Sequence, residues 1–235
     1  TLQNYDIDKV QVASAGPGLG WKIFPARSRR APAIPGQTNQ VSVWILDKRG
    51  LVGEHKEKGK TKGLEVYVEM VKRDIHNISK VKHPCFLQII EPLEETRTQL
   101  VLVTEPIIGS VHNVLAAFTD LPETVPEKYK IGKLSDQEIK FGLLQLSEGL
   151  AFLGNEAGMV HRGISTETVL VSLNGSFKIS GMGWALSLRD FDASVASWQF
   201  DFADGGLLWW EKVQRPPLGA LAPELVKAGG HHHAV

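Results

Sequence analysis

Several short stretches of this chain carry side chains and spacings that could hold phosphate, move a proton or bind a metal. Gly16-Pro17-Gly18-Leu19-Gly20 separates two strand-like segments, around Val10–Ala15 and Trp21–Phe24. Main-chain amides in such a glycine loop are the kind that cover phosphates. His161 opens the polar run His161-Arg162-Gly163-Ile164-Ser165-Thr166-Glu167-Thr168 and is a candidate general base. Gly181-Met182-Gly183 and Ala222-Pro223-Glu224 follow it. Arg27, Arg29 and Arg30 form a basic cluster, read as a solvated face with a phosphate or acidic contact as the alternative. His231, His232 and His233 offer three imidazoles, but adjacent histidines at a chain end lack the rigid scaffold that a specific metal site needs. Trp209-Trp210 reads as buried, with a partner contact as the second reading.

The elements that must position these groups follow from the apolar pattern. Pro25–Gln40 holds three prolines and reads as an exposed loop. Val41-Ser42-Val43-Trp44-Ile45-Leu46 is a nearly continuous apolar run, suited to a strand covered on both faces. Leu64, Val68, Val71, Ile75 and Ile78 repeat at helical spacing, with Glu65, Glu69, Lys72 and Arg73 on the remaining surface. His83-Pro84 stops that helix, because proline disfavours helical geometry in the residue before it. Strands are expected at Phe86–Ile90 and Leu100–Val103. Ser135 with Glu138 is a capping box that opens a long helix, with Ile139, Leu143, Leu146, Leu150 and Leu153 as its buried stripe. Val169–Val171 and Phe177–Ile179 form a hairpin around Asn174-Gly175. Leu186–Pro217 shows no stable periodicity, and no internal repeats occur.

Composition narrows the class without choosing a function. The 235 residues carry 26 basic and 26 acidic side chains, so no net charge draws the chain to nucleic acid. The single cysteine, Cys85, excludes an internal disulfide framework and suits a cytoplasmic compartment. No apolar run is long enough for a transmembrane segment. A start at Thr1 without methionine reads as a fragment.

In sequence, these pieces fall in the order of a protein-kinase domain. The expected class is α+β, a two-lobe kinase-like fold. Residues 1–105 form an antiparallel-sheet N-lobe with one helix. Residues 106–235 form a partial, mainly helical C-lobe that ends after the activation segment. The chemistry is missing from it. Phosphoryl transfer depends on positioning the nucleotide and neutralising its charge. Trp44 stands in the slot of the phosphate-clamping lysine and Gly163 in that of the base. Thr168 and Gly181 stand where the metal-binding asparagine and aspartate belong. No catalytic residue and no metal site are expected, and Gly163→Asp with Gly181→Asp should remain inactive while Trp44 stands. Asp74, near the slot of the helix glutamate, reads as a solvated helix residue.

Structural positions survive. Ile78, Ile89, His161 and Met182 occupy four places that stack into a spine, so His161 reads as a packed core histidine. A vestigial nucleotide cleft would comprise Gly16, Gly18, Ile23, Glu105, Ile107 and Leu170. In it the Glu105 carbonyl and Ile107 amide of the Thr104-Glu105-Pro106-Ile107 hinge could meet an adenine edge, unless Trp44 fills the cleft. No cofactor is expected, with ATP held without magnesium as the alternative.

Finer stretches carry a narrower resemblance. Gly18-Leu19-Gly20-Trp21-Lys22-Ile23-Phe24, Glu91-Pro92-Leu93-Glu94-Glu95-Thr96-Arg97 and Gly142-Leu143-Leu144-Gln145-Leu146-Ser147-Glu148-Gly149-Leu150 resemble the SCY-like pseudokinases. Within that family they resemble the coated-vesicle-associated kind. That resemblance implies a catalytically inactive scaffold in clathrin-dependent traffic, cytoplasmic or peripheral on Golgi, endosomes or coated vesicles. It implies protein partners, such as clathrin coat or adaptor proteins reached through the parent chain. The alternatives are a divergent serine/threonine kinase and a non-catalytic ATP-binding switch. Without the helices that follow Ala-Pro-Glu in that family, apolar surface of the long helix is expected to be exposed and the fragment to be poorly soluble.

Overall fold

Extended segments at Trp21–Ser28 (β3), Gln40–Asp47 (β4) and Gln99–Thr104 (β6), the last two rich in β-branched residues, pair antiparallel to form the centre of a six-stranded sheet. The computed structural model of the chain describes residues 2–30, 38–53, 60–190, 199–200 and 215–226. Tyr5–Ile7 (β1) and Ala13–Ala15 (β2) both pair with β3, and Ile89–Glu95 (β5) closes the other edge against β6. Along β4 the two-residue period divides the core. Val41 and Val43 pack with Tyr5, Val101 and Val103 on one face, and Trp44 and Leu46 enter the main core on the other.

Two helices, Lys48–Gly53 (α1) and Lys60–Lys80 (α2), follow β4, where the sequence predicts one. Val68, Val71, Ile75 and Ile78 are buried as their spacing requires, and Glu65, Glu69 and Arg73 are exposed. Two strand boundaries differ from expectation. Strand β3 continues through Pro25 to Ser28 into the segment read as loop, where Arg29 pairs with Asp6 at 2.7 Å. Phe86 makes one bridge to Ile179 and buries its ring, and the strand itself begins at Ile89.

After the sheet, Ile107–Ser110 (β7) joins a second sheet in the order β10-β9-β7, with Val169–Ser172 (β9) and Phe177–Ile179 (β10) as the expected hairpin. Gly175 takes the left-handed turn position, φ 79°. Helices Val111–Leu115 (α3) and Asp136–Asn155 (α4) pack beside it, α4 opened by the Ser135–Glu138 capping box. Met159–Val160 (β8) pairs with Leu186–Ser187 (β11).

The buried stripe of α4 is rotated from the one predicted. It consists of Gly142, Leu146, Gly149 and Leu153, whereas Ile139 and Leu143 face outward with Phe141 and Leu144. The reason is steric: the Phe177 ring lies where a side chain at 142 would stand, and Ile179 and Cys85 lie against Gly149. Glycines have no hydrophobic signature, so the stripe's phase was hidden. Both sheets share one core, in which Ile23, Trp44 and Leu102 pack with Ile107, Leu170 and Met182. Trp209-Trp210 and His231–His233 lie outside the described residues.

Candidate functional site

The lysine-slot residue sits on the inward face of β4. Trp44 is 2% exposed, and its indole Nε1 donates to Thr104 Oγ1 at 2.9 Å. The Thr104 hydroxyl in turn donates to the Glu105 carbonyl at 2.9 Å, and the Ile107 amide donates to the Ser42 hydroxyl at 3.0 Å. Both hinge groups that the sequence offers to an adenine edge therefore have partners within the fold. Trp21 meets Trp44 edge-on, with ring centroids 6.0 Å apart. Ile23, Ile107 and Leu170 are buried in the same core as Trp44, while Gly18 is exposed and Gly16 buried.

Below the hinge, two of the residues that the sequence reading assigns to catalytic slots are glycines with large neighbours. A Cβ on Gly163 would overlap the six-membered ring of Trp184, a buried residue just beyond Gly181-Met182-Gly183. A Cβ on Gly181 would overlap Thr168 Cγ2, and Gly181 has φ 77°, a left-handed conformation that strains other residues. Thr168 is fully buried; its hydroxyl accepts from the Ser165 amide at 2.9 Å and donates to the Gly163 carbonyl at 2.8 Å. The structure brings Gly163, Thr168 and Gly181 together with Trp184 in one packed layer.

His161 is 3% exposed and held on both ring nitrogens. Nδ1 accepts from the Gly163 amide at 3.1 Å, so Nε2 must carry the proton that bonds the Ser180 carbonyl at 2.9 Å. Burial pulls the imidazole down to about 4, and the Ser180 carbonyl offsets this only in part. A neutral ring with both nitrogens engaged has no lone pair left for a substrate proton. Ile78 and Met182 are buried with it, and Ile89 is partly buried against the same core.

Asp74 corrects the sequence reading of a solvated residue. It is 4% exposed, and its Oδ1 accepts from the Met182 amide at 2.6 Å. Position 74 lies three residues after Val71 and four before Ile78, so it shares their inward face. Burial raises the carboxyl to about 7, against the opposing pull of the Met182 and Gly181 amides. Its neighbours on α2 hold the next carbonyls: Asn77 Nδ2 donates to Met182 O at 3.0 Å and Arg73 Nε to Gly183 O at 2.7 Å. From the other side, Arg162 Nε donates to Trp184 O at 2.8 Å.

Two more residues escaped sequence reasoning. Asn113, fully buried in α3, completes a capping box with Ser110 and also bonds Ser14. Glu167 meets the glycine loop. Ser110-x-x-Asn113 was a weak signal for the first, since glutamate or glutamine is the usual partner there. Among the described residues no cluster of histidine, cysteine, aspartate or glutamate could hold a metal ion, and no helix is long and apolar enough to cross a membrane.

A family profile of protein tyrosine and serine/threonine kinases matches residues 56–201. The chain belongs to the protein kinase family. This kinase-like domain is also 34% identical over 185 residues to human SCY1-like protein 2, an alignment covering 79% of this chain and 19% of that protein. It is 30% identical over 229 residues to the protein kinase domain-containing protein ppk32 of Schizosaccharomyces pombe, covering 95% of this chain and 28% of ppk32. A Dictyostelium discoideum relative, 24% identical over 172 residues (70% of this chain, 18% of that protein), is named "Probable inactive serine/threonine-protein kinase scy1". The SCY-like resemblance read from the sequence is thus shown. The kinase-like domain spans about a fifth of the length of the human relative.

Proposed function

We propose that this kinase-like domain is catalytically inactive and serves as an interaction module in a longer protein. One observation carries the reading: the places of the clamping lysine, the base and the metal ligands are filled by packed side chains. Trp44 occupies the upper wall with its indole bonded to Thr104, and Trp184 and Thr168 close over Gly163 and Gly181. A nucleotide does not fit these residues. Its base would have to displace Trp44 and take the Ile107 amide from the Ser42 hydroxyl, and its phosphates would find neither lysine nor acidic metal ligand in those slots. His161, neutral and bonded on both nitrogens, offers no base. What the sequence keeps is the packing frame, which fits a protein used for its shape.

The test is a thermal-shift measurement with ATP, with and without magnesium, beside a phosphate-transfer assay. Neither condition is expected to raise the melting temperature and no transfer is expected; a magnesium-dependent rise would overturn the reading in favour of an active kinase. A rise without magnesium would favour a nucleotide-sensing switch. The SCY-like resemblance extends the proposal to clathrin-dependent traffic, with coat or adaptor proteins bound through the parent protein on Golgi, endosomal or coated-vesicle membranes. Co-sedimentation of the parent protein with assembled clathrin coats tests that part. Failure to sediment removes the traffic assignment and leaves the inactive module standing.

A further inference from the structure

The glycine loop is fastened at several points along its length. The Ser14 amide donates to Asn113 Oδ1 at 2.9 Å, and Asn113 Nδ2 returns a bond to Ser14 Oγ at 3.0 Å. Two residues on, the Gly16 amide donates to the Glu167 carbonyl at 2.9 Å. The Gly18 amide then donates to the Glu167 carboxylate, Oε2, at 2.8 Å. From α2, the Tyr67 hydroxyl donates to the Pro17 carbonyl at 3.0 Å. The His112 amide donates to Thr166 O at 2.9 Å, which ties α3 to the same polar loop.

We infer that Glu167 is an internal clasp, a tethered carboxylate that holds the glycine loop down on the second half of the molecule. An oxyanion accepting a main-chain N–H from a glycine loop makes the same kind of contact that a phosphate oxygen makes. Here the oxyanion belongs to the chain. Because it is tethered, its effective concentration at the loop stays high without any diffusible ligand. Gly16 and Gly18, with φ 75° and 64°, present amides two residues apart to one residue, so its main chain and side chain grip the loop together. The clasp makes the two sheets move as one body, and it stands whether or not the domain acts in vesicle traffic.

The test is residue-resolved amide hydrogen exchange on the 235-residue chain, comparing the parent sequence with Glu167→Ala and Glu167→Gln. In Glu167→Ala, the amides of Ser14, Gly16 and Gly18 should exchange together, roughly tenfold faster, because local opening sets their rate. Gly16 decides the matter, since its acceptor is the main-chain carbonyl, which the substitution leaves in place. Ile179, whose amide is bonded to the Cys85 carbonyl away from the loop, should be unchanged. Glu167→Gln keeps the bulk and an oxygen acceptor and should show the same pattern at smaller amplitude. A rise at Gly18 alone would mean a single surface bond and overturn the clasp. No change at all, or an equal rise that includes Ile179, would overturn it too.

Discussion

The two regions that the proposed reading takes as the upper and lower walls of a cleft are packed in opposite ways. Above, a large ring stands where the sequence reading looks for a lysine: Trp44 is packed against Trp21 and bonded to Thr104. Below, Gly163 and Gly181 carry no side chains, and the space beside them is taken by Trp184 and Thr168 from neighbouring segments. The upper site is overfilled in place, and the lower one is filled from outside. A change at 44 should therefore leave a hole, whereas a change at 163 or 181 should force a collision.

The largest effect is expected below. Gly163→Asp with Gly181→Asp adds two Cβ atoms where ring and methyl already lie, strains a left-handed residue and buries two carboxyls. Overpacking alone costs about 1–3 kcal/mol per site, and the sum should leave no cooperative unfolding transition in urea. A double variant that folded with near-parent stability would break the comparison. Trp44→Ala comes next, at about 3–5 kcal/mol, the range for deleting a large buried aromatic side chain. An unchanged urea midpoint would show that the upper wall is not packed as described.

A smaller, pH-dependent effect belongs to Asp74, which ties α2 to the lower wall. Its carboxyl moves from an ordinary 3.8 to about 7 on folding, so the folded state keeps a proton that the unfolded chain gives up between those values. Stability from this group is full below pH 4 and is lost as pH rises to 7. His161 runs the other way, from 6.5 to about 4, so its contribution is lost as pH falls through that window. Asp74→Asn removes only the first slope. The melting temperature of the variant relative to the parent should therefore climb between pH 4 and pH 7, by the equivalent of up to a few kcal/mol. A constant difference would mean that the buried carboxyl does not titrate there.

Much of the fold was legible: the order of the motifs pointed to the kinase family, and strand β4 and the hairpin could be placed by their apolar runs. What could not be read was how the space around those slots is used. Nothing in Gly163 announces that Trp184 fills its place, and Gly142 and Gly149 shifted the face of α4 without any apolar signal. Asp74 was misjudged from its charge, although its spacing to Val71 and Ile78 placed it inside. The partners of the hinge were not legible either: Ser42 and Thr104 look unremarkable in a strand, yet their hydroxyls bond the Ile107 amide and the Glu105 carbonyl.

The interlocking of Gly181 with Thr168, and of Gly163 with Trp184, bears on how such a domain changes over generations. A mutation placing an acidic residue at either glycine meets its neighbour first and yields an unstable protein. A mutation that makes room in the neighbour first leaves a cavity with nothing to select it. On the proposed reading, any route to catalysis would therefore cross a valley in stability from either direction, and the packing would act as a ratchet.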